Sequence, residues 1–364
     1  MQAVRSLVTI AGCFAAMLCV APAAKAQGPA PPVGALTTRQ LVGQRLILGY
    51  AGTEPPARLI GRIARGEAAG VILFSRNVGS RRALRSTVDR LQAIERPAGL
   101  RQPLLIMIDQ EGGLVKRLSG APSRSPTQVG ATKDPGYARR VGAATAANLR
   151  EVGVNVNLAP VLDIGRPGSS VRRLGRAYGS TAGQVQRTGV PFAQGLADGN
   201  VIATAKHFPG IGDARIDEDV ASNRSTRSLS FLREVDMAPF AAAFRAGVPM
   251  VMTSTSIYTA LDRDRPALLS NRVASTELRD RLGFTGVSIT DDLDVGALDR
   301  FGSAARVGLD AAKAGNDLLL CAQSYANGAS AAAAILRAAV AGELERSTLE
   351  ASAARVLALR ASLE

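Results

Sequence analysis

The chain has 364 residues, 46% hydrophobic and 20% charged, a balance that suits one large globular domain and excludes extended disorder over most of its length. Its net charge is +14, but aromatic residues make up only 4%, tryptophan is absent and the arginines are scattered; no nucleic-acid partner is indicated, and an anionic envelope polymer is the simpler one. The single histidine, His207, excludes multi-histidine metal centres, allows a Ser-His-Asp triad no other imidazole, and leaves carboxylates as the carriers of acid, base or nucleophile chemistry.

Residues 1–26 read as an export signal, with Arg5 at its positive end, an apolar stretch from Leu7 to Val20 and a small-residue cleavage site at Ala24-Lys25-Ala26. The stretch is too short and too rich in alanine for a membrane span, so the mature form is expected to carry no integral membrane segment and to sit in the periplasm, cell wall or exterior. Ile10-Ala11-Gly12-Cys13 has the look of a lipoprotein box, but the apolar run before it is very short and ordinary signal residues are the favoured reading. Cleavage after Ala26 leaves Cys321 as the one cysteine, so stability is expected from the core and not from disulfides. Residues 27–37 form a Pro-rich linker, and residues 38–364 the domain.

From residue 38 amphipathic helical stretches alternate with short apolar runs: Leu46 to Gly49, Val71 to Phe74, Leu104 to Ile108, Val154 to Leu158, Val201 to Ala205, Pro249 to Thr253, Val287 to Thr290 and Asp317 to Leu320. About eight strands of this kind predict an α/β fold, a single-domain (β/α)₈ TIM barrel, in which strands covered on both faces read as continuous apolar runs. A doubly wound open sheet is the alternative. Asp109, Asp163, Lys206, His207 and Asp291 each fall at or just past the carboxyl end of a predicted strand, where either fold builds its ligand site.

Asp109-Gln110-Glu111-Gly112-Gly113-Leu114-Val115-Lys116-Arg117 reads as a strand end, a Gly-Gly turn and a helix start. Its paired glycines let backbone approach a ligand, and Asp109 with Arg117 offers an acceptor and a forked donor to vicinal hydroxyls; a structural ion pair is the plainer alternative. Taken with Arg176-Ala177-Tyr178-Gly179, Lys206-His207-Phe208-Pro209-Gly210 and Ile289-Thr290-Asp291-Asp292-Leu293, this segment resembles glycoside hydrolase family 3, in its single-domain bacterial β-N-acetylhexosaminidase branch. The resemblance runs from about Thr38 to Leu357 and implies a barrel that removes terminal β-linked N-acetylglucosamine with retention.

By position, the resemblance makes Asp291 the nucleophile, a carboxylate that attacks the anomeric carbon and later leaves to water. It makes Asp109, Arg117, Arg176, Lys206 and His207 sugar-binding residues, and leaves Asp292 structural. It implies no metal and no organic cofactor, only carboxyl groups and water. The substrate class it implies is an N-acetylglucosamine-containing glycan or muropeptide. No motif bears on oligomeric state.

The chain departs from the family at the proton donor. An Asp-x-His pair normally follows the Lys-His-Phe-Pro-Gly motif; here Asp217 falls on the Asp, and Asp219 takes the place of the histidine. Ile211 and the run Thr253-Ser254-Thr255-Ser256 stand where two further histidines are common. The acid is then expected from Asp219, or Glu218, with Asp217 beside it raising its pKa. A positioned general acid contributes about 10²–10⁴-fold, so a weakened hydrolase is expected rather than an inert one. Two other readings stay open: a sugar-binding protein that no longer turns over, and a different glycosidase or a phosphorylase.

Overall fold

The computed structural model describes residues 33–217 and 220–364. The proposed export signal lies outside the described residues, as do Glu218 and Asp219.

Eight parallel strands form the central sheet: β1 (Leu46–Leu48), β2 (Gly70–Leu73), β3 (Leu105–Ile108), β4 (Val156–Asn157), β5 (Ile202–Phe208), β6 (Met250–Thr253), β7 (Val287–Thr290) and β8 (Leu319–Cys321). They follow the order β7-β6-β5-β4-β3-β2-β1-β8, and a parallel bridge between Ile289 and Leu318 joins the two ends of that order. The architecture is a (β/α)₈ barrel. All eight apolar runs read from the sequence overlap barrel strands, and only Val287–Thr290 matches at both ends; β4 is only two residues long, β5 runs on through Lys206 and His207 to Phe208, and β8 starts two residues later than read.

Period-two alternation explains why both faces of each strand are apolar. Ile47, Ile72, Leu105, Met107, Val156, Met250, Met252, Ile289 and Leu320 fill the barrel, while Leu46, Leu48, Val71, Leu73, Ile106, Ile108, Val251 and Leu319 pack outward against the helices. Those helices start where the sequence supplies caps. Ser125 and Gln128 form a capping box ahead of Pro126–Ala131, Asp134 caps Pro135–Arg150, and Thr181 caps Ala182–Asp198. The last two pack along each other, and Gly142 and Gly195 make their close approach possible: a Cβ on either would sit 2.1 Å or less from a backbone carbonyl oxygen of the partner helix.

One local expectation is corrected. The segment after Asp109 does not start a helix; Gln110–Gly112 and Val115–Lys116 pair as an antiparallel hairpin. Gly112 and Gly113 turn it at φ +104° and +63°, where glycine is strongly favoured. The Gln110 amide closes it, donating to Leu118 and Ala121 carbonyls at 2.7 and 2.9 Å and accepting from the Arg117 and Leu118 amides at 3.0 Å.

Candidate active site

At the carboxyl ends of the strands, the top of the barrel core (Ile72, Leu158, Met252 and Leu320) floors a cavity. Its walls bring together Asp109, Arg117, Arg176, Lys206, His207, Asp217 and Asp291, residues spread over more than half the chain. Of the site residues expected from sequence, Asp219 and its alternative Glu218 lie outside the described residues.

The walls are built around buried charge. The Lys206 ammonium donates to Asp109 at 2.8 Å and lies 2.7 Å from Glu111, whose carboxylate also takes a two-pronged contact from Arg176 at 2.8 and 2.9 Å. Glu111 and Lys206 are almost fully enclosed. Burial alone would push the Glu111 carboxyl up, but the two cations outweigh it and hold the acid well below the usual carboxylate range. The Lys206 and Arg176 pKa values are raised in turn, burial opposing and the carboxylates prevailing. Arg117 stands 3.8 Å from Asp109 and 5.5 Å above the Phe74 ring, and its Nε has no hydrogen-bond partner among the described residues.

His207 is oriented by Asp163, which follows β4. Asp163 accepts from the ring Nδ1 at 2.7 Å, from the His207 amide at 3.2 Å and from the Ile211 amide at 2.9 Å. That contact assigns the proton to Nδ1 and leaves Nε2 of a neutral ring as an acceptor. Lys206 and His207 are adjacent, and a regular strand would send them to opposite faces. The register of β5 against β6 shifts between Ala205 and Phe208, and both side chains line the cavity.

Asp291 follows β7, its amide bonded to the Thr253 carbonyl at 2.9 Å and one carboxylate oxygen accepting from the Asp292 amide at 2.8 Å. Asp292 does different work. It accepts from the Ala322 and Asp294 amides at 3.0 Å and from the Gln323 side chain at 2.9 Å, tying the end of β7 to the end of β8. Burial pushes its carboxyl up to about 6, against the pull of those three donors.

Glu111 and Asp163 are the residues that the site list read from sequence omitted. Glu111 had a signal: two positions beyond Asp109 in an extended segment, it falls on the same side of the chain. Asp163 stood at a predicted strand end, but its partner His207 is 44 residues away in sequence.

The family is decided by comparison. Residues 44–359 match the glycosyl hydrolase family 3 N-terminal domain. The chain belongs to glycosyl hydrolase family 3. It is similar to a secreted glycosyl hydrolase of Arthroderma benhamiae, 37% identical over 92% of this chain and 96% of that one. It is similar to a beta-hexosaminidase of Alkalilimnicola ehrlichii, 35% identical over 76% of this chain and 79% of that one. Among solved structures, a family 3 beta-N-acetylglucosaminidase from Paenibacillus sp. superposes with a TM-score of 0.85 at 34% identity, over 90% of this chain and 63% of that longer one. As a family 3 member the chain is a glycoside hydrolase acting on carbohydrate. Among the described residues no helix is long and apolar enough to cross a membrane, and no group of three or more His, Cys, Asp and Glu is placed to hold a metal ion.

Proposed function

We propose that this hydrolase is exported and removes terminal β-linked N-acetylglucosamine from peptidoglycan fragments by a retaining mechanism. Asp291 is the nucleophile, forming a bond to the anomeric carbon that water later cleaves. The observation that carries the reading is the cavity itself, where Asp291 shares one space with Asp109, Lys206 and Arg176, tied together by the buried Glu111, and with the Asp163-oriented His207. Charged donors and acceptors fixed in this way suit the hydroxyls of one sugar ring, and the Arg117 Nε adds a donor without a hydrogen-bond partner among the described residues. The specificity for N-acetylglucosamine follows the names of the relatives, a beta-hexosaminidase and a beta-N-acetylglucosaminidase. Export follows the leader-like residues 1–26 and the relative described as secreted.

Protonation of the leaving oxygen falls to the loop after β5, with Asp219 as the acid and Asp217, on the cavity wall, as its neighbour. The chain's one imidazole is held by Asp163 within the sugar-binding wall, which supports a carboxyl donor and a slower acid step. A mechanism-based fluorosugar tests the whole reading. The reagent is expected to label Asp291, and the unlabelled enzyme to release product of retained configuration from an aryl glycoside. Saccharide binding with neither label nor product would instead support a sugar-binding protein.

A further inference from the structure

A second cavity adjoins the first across a single turn of chain. Ile211 lines the active-site cavity, while its neighbour Gly212 lines the second; Asp213 lines the second and Asp217 the first, four residues and at most about 14 Å apart along the chain. Four arginines face this second space, Arg166, Arg215, Arg224 and Arg227, with Phe231 between two of them. The guanidiniums of Arg166 and Arg227 lie 5.1 and 4.7 Å from the Phe231 ring centre.

The charge is only half compensated. Arg227 forks onto Asp213 at 2.8 and 3.0 Å, and Arg166 binds Asp236 behind the wall. Arg166 Nη1 stands 3.6 Å from Asp213, too far for a hydrogen bond, and this buried atom has no hydrogen-bond partner among the described residues. Among the described residues Arg224 donates only to the Arg263 carbonyl, which carries no charge. Among the described residues, two carboxylates, Asp213 and Asp236, therefore pair with this set of four guanidiniums. The position of Arg166 is built in: a Cβ on Gly212 would meet its Nη1 at 2.5 Å and the Ile164 carbonyl at 2.6 Å, so only glycine leaves the arginine room. The loop is pinned at the same point, since the Asn223 side chain accepts from the Arg215 and Ile216 amides at 3.1 Å.

We propose that this arginine cavity binds an oxyanion carried by the part of the substrate beyond the bond being broken. Forked guanidinium donors match a carboxylate in two-pronged contacts, and the shared loop sets the cavity beside the side of the active site where the leaving group departs. Placement relative to the scissile bond rests on the hydrolase reading given above; the presence of an oxyanion site does not.

The test compares two disaccharides that lose the same terminal sugar: N,N′-diacetylchitobiose, which is neutral, and N-acetylglucosaminyl-N-acetylmuramyl dipeptide, which carries carboxylates. The Arg215→Gln/Arg224→Gln double variant keeps the Arg227–Asp213 and Arg166–Asp236 pairs. Its kcat/KM on the acidic disaccharide is expected to fall about tenfold further than on chitobiose, mainly through KM, with added salt narrowing the wild-type preference in the same direction. Equal losses on both substrates would overturn the proposal. Inorganic phosphate is expected to compete with the acidic disaccharide only; inhibition or acceleration of both alike would mean a free-anion site and would overturn it too. If neither disaccharide is cleaved by the wild type, the hydrolase reading fails, and calorimetric titration with N-acetylmuramyl dipeptide still decides the cavity. Binding about tenfold tighter to the wild type than to the double variant supports it, and equal or absent binding overturns it.

Discussion

The sugar-binding wall and the loop after β5 face the same cavity but are built by different physics. The wall hangs on barrel strands and the loops that follow them, its charges buried and mutually neutralised: Glu111 and Asp163 have fully buried side chains, Glu111 held by Lys206 and Arg176 and Asp163 by His207. Among the described residues of the loop from Gly212 to Arg227, Ile216 and Val220 are 50% and 70% exposed, and the segment is held by the Asn223 side chain, a two-residue pairing of Arg224–Ser225 with Ile257–Tyr258 and the half-exposed Arg227–Asp213 pair. The wall proposed to orient the sugar is thus part of the fold's own stability, whereas the proposed proton donor sits on a segment that can change without unfolding the barrel. Under the proposed mechanism a chain can exchange its acid residue and keep its binding wall, which is the exchange proposed at Asp219.

Removing the proposed nucleophile should break the comparison most severely, since no loop chemistry can replace it. Asp291→Asn is expected to lower kcat on the order of 10⁴-fold or more, even for aryl glycosides, and to abolish fluorosugar labelling in intact-mass spectra. Loop variants should act more selectively. Asp219→Asn is expected to cost about 10²–10⁴-fold on chitobiose and much less on an aryl glycoside with a good leaving group. Asp219→His, which restores the family's residue type, should raise activity on chitobiose. If Asp219→Asn keeps full activity on the poor leaving group, the acid lies elsewhere.

What could be read from the sequence divides along the same line. Strand positions were legible because burial on two faces forces uninterrupted apolar runs, as at Leu105–Ile108 and Val287–Thr290. Asp109, Lys206 and Asp291 were legible because a barrel sends every strand end to one mouth. The hairpin at Gln110–Lys116 was not, since its two strands are held by the Gln110 side chain and not by any periodicity. Nor was the role of Glu111, which depends on Arg176, 65 residues away, reaching back to it. Long-range charge pairing leaves no local pattern.

Stability measurements sharpen the contrast between wall and loop. Glu111→Ala leaves Lys206 and Arg176 short of a carboxylate in a buried site and should destabilise by about 3–5 kcal/mol in urea unfolding. Asp213→Ala, whose partner Arg227 is 44% exposed, should cost about 1 kcal/mol or less. The pH dependence follows the same order. The Glu111 pKa is depressed in the folded state, so its contribution is fully present above the unfolded value of 4.5 and is lost as pH falls below it. Equal costs for the two variants would mean that the wall is no more integral to the fold than the loop.

The effect confined to pH dependence should come from Asp292, which neighbours the proposed nucleophile yet belongs to the barrel's closure. Its carboxyl is raised by burial from 3.8 to about 6, so between those values the folded state binds more protons than the unfolded one. Stability must then fall as pH rises from about 4 to about 6, by at most about 3 kcal/mol. Asp292→Asn removes the titration while keeping an oxygen for the Ala322 and Asp294 amides. The variant is expected to lose the wild-type decline between pH 4 and 6 in urea unfolding and to retain fluorosugar labelling at Asp291. A variant with the wild-type slope would show that Asp292 does not titrate there. One that folds normally but loses the label would move Asp292 from the scaffold into the chemistry.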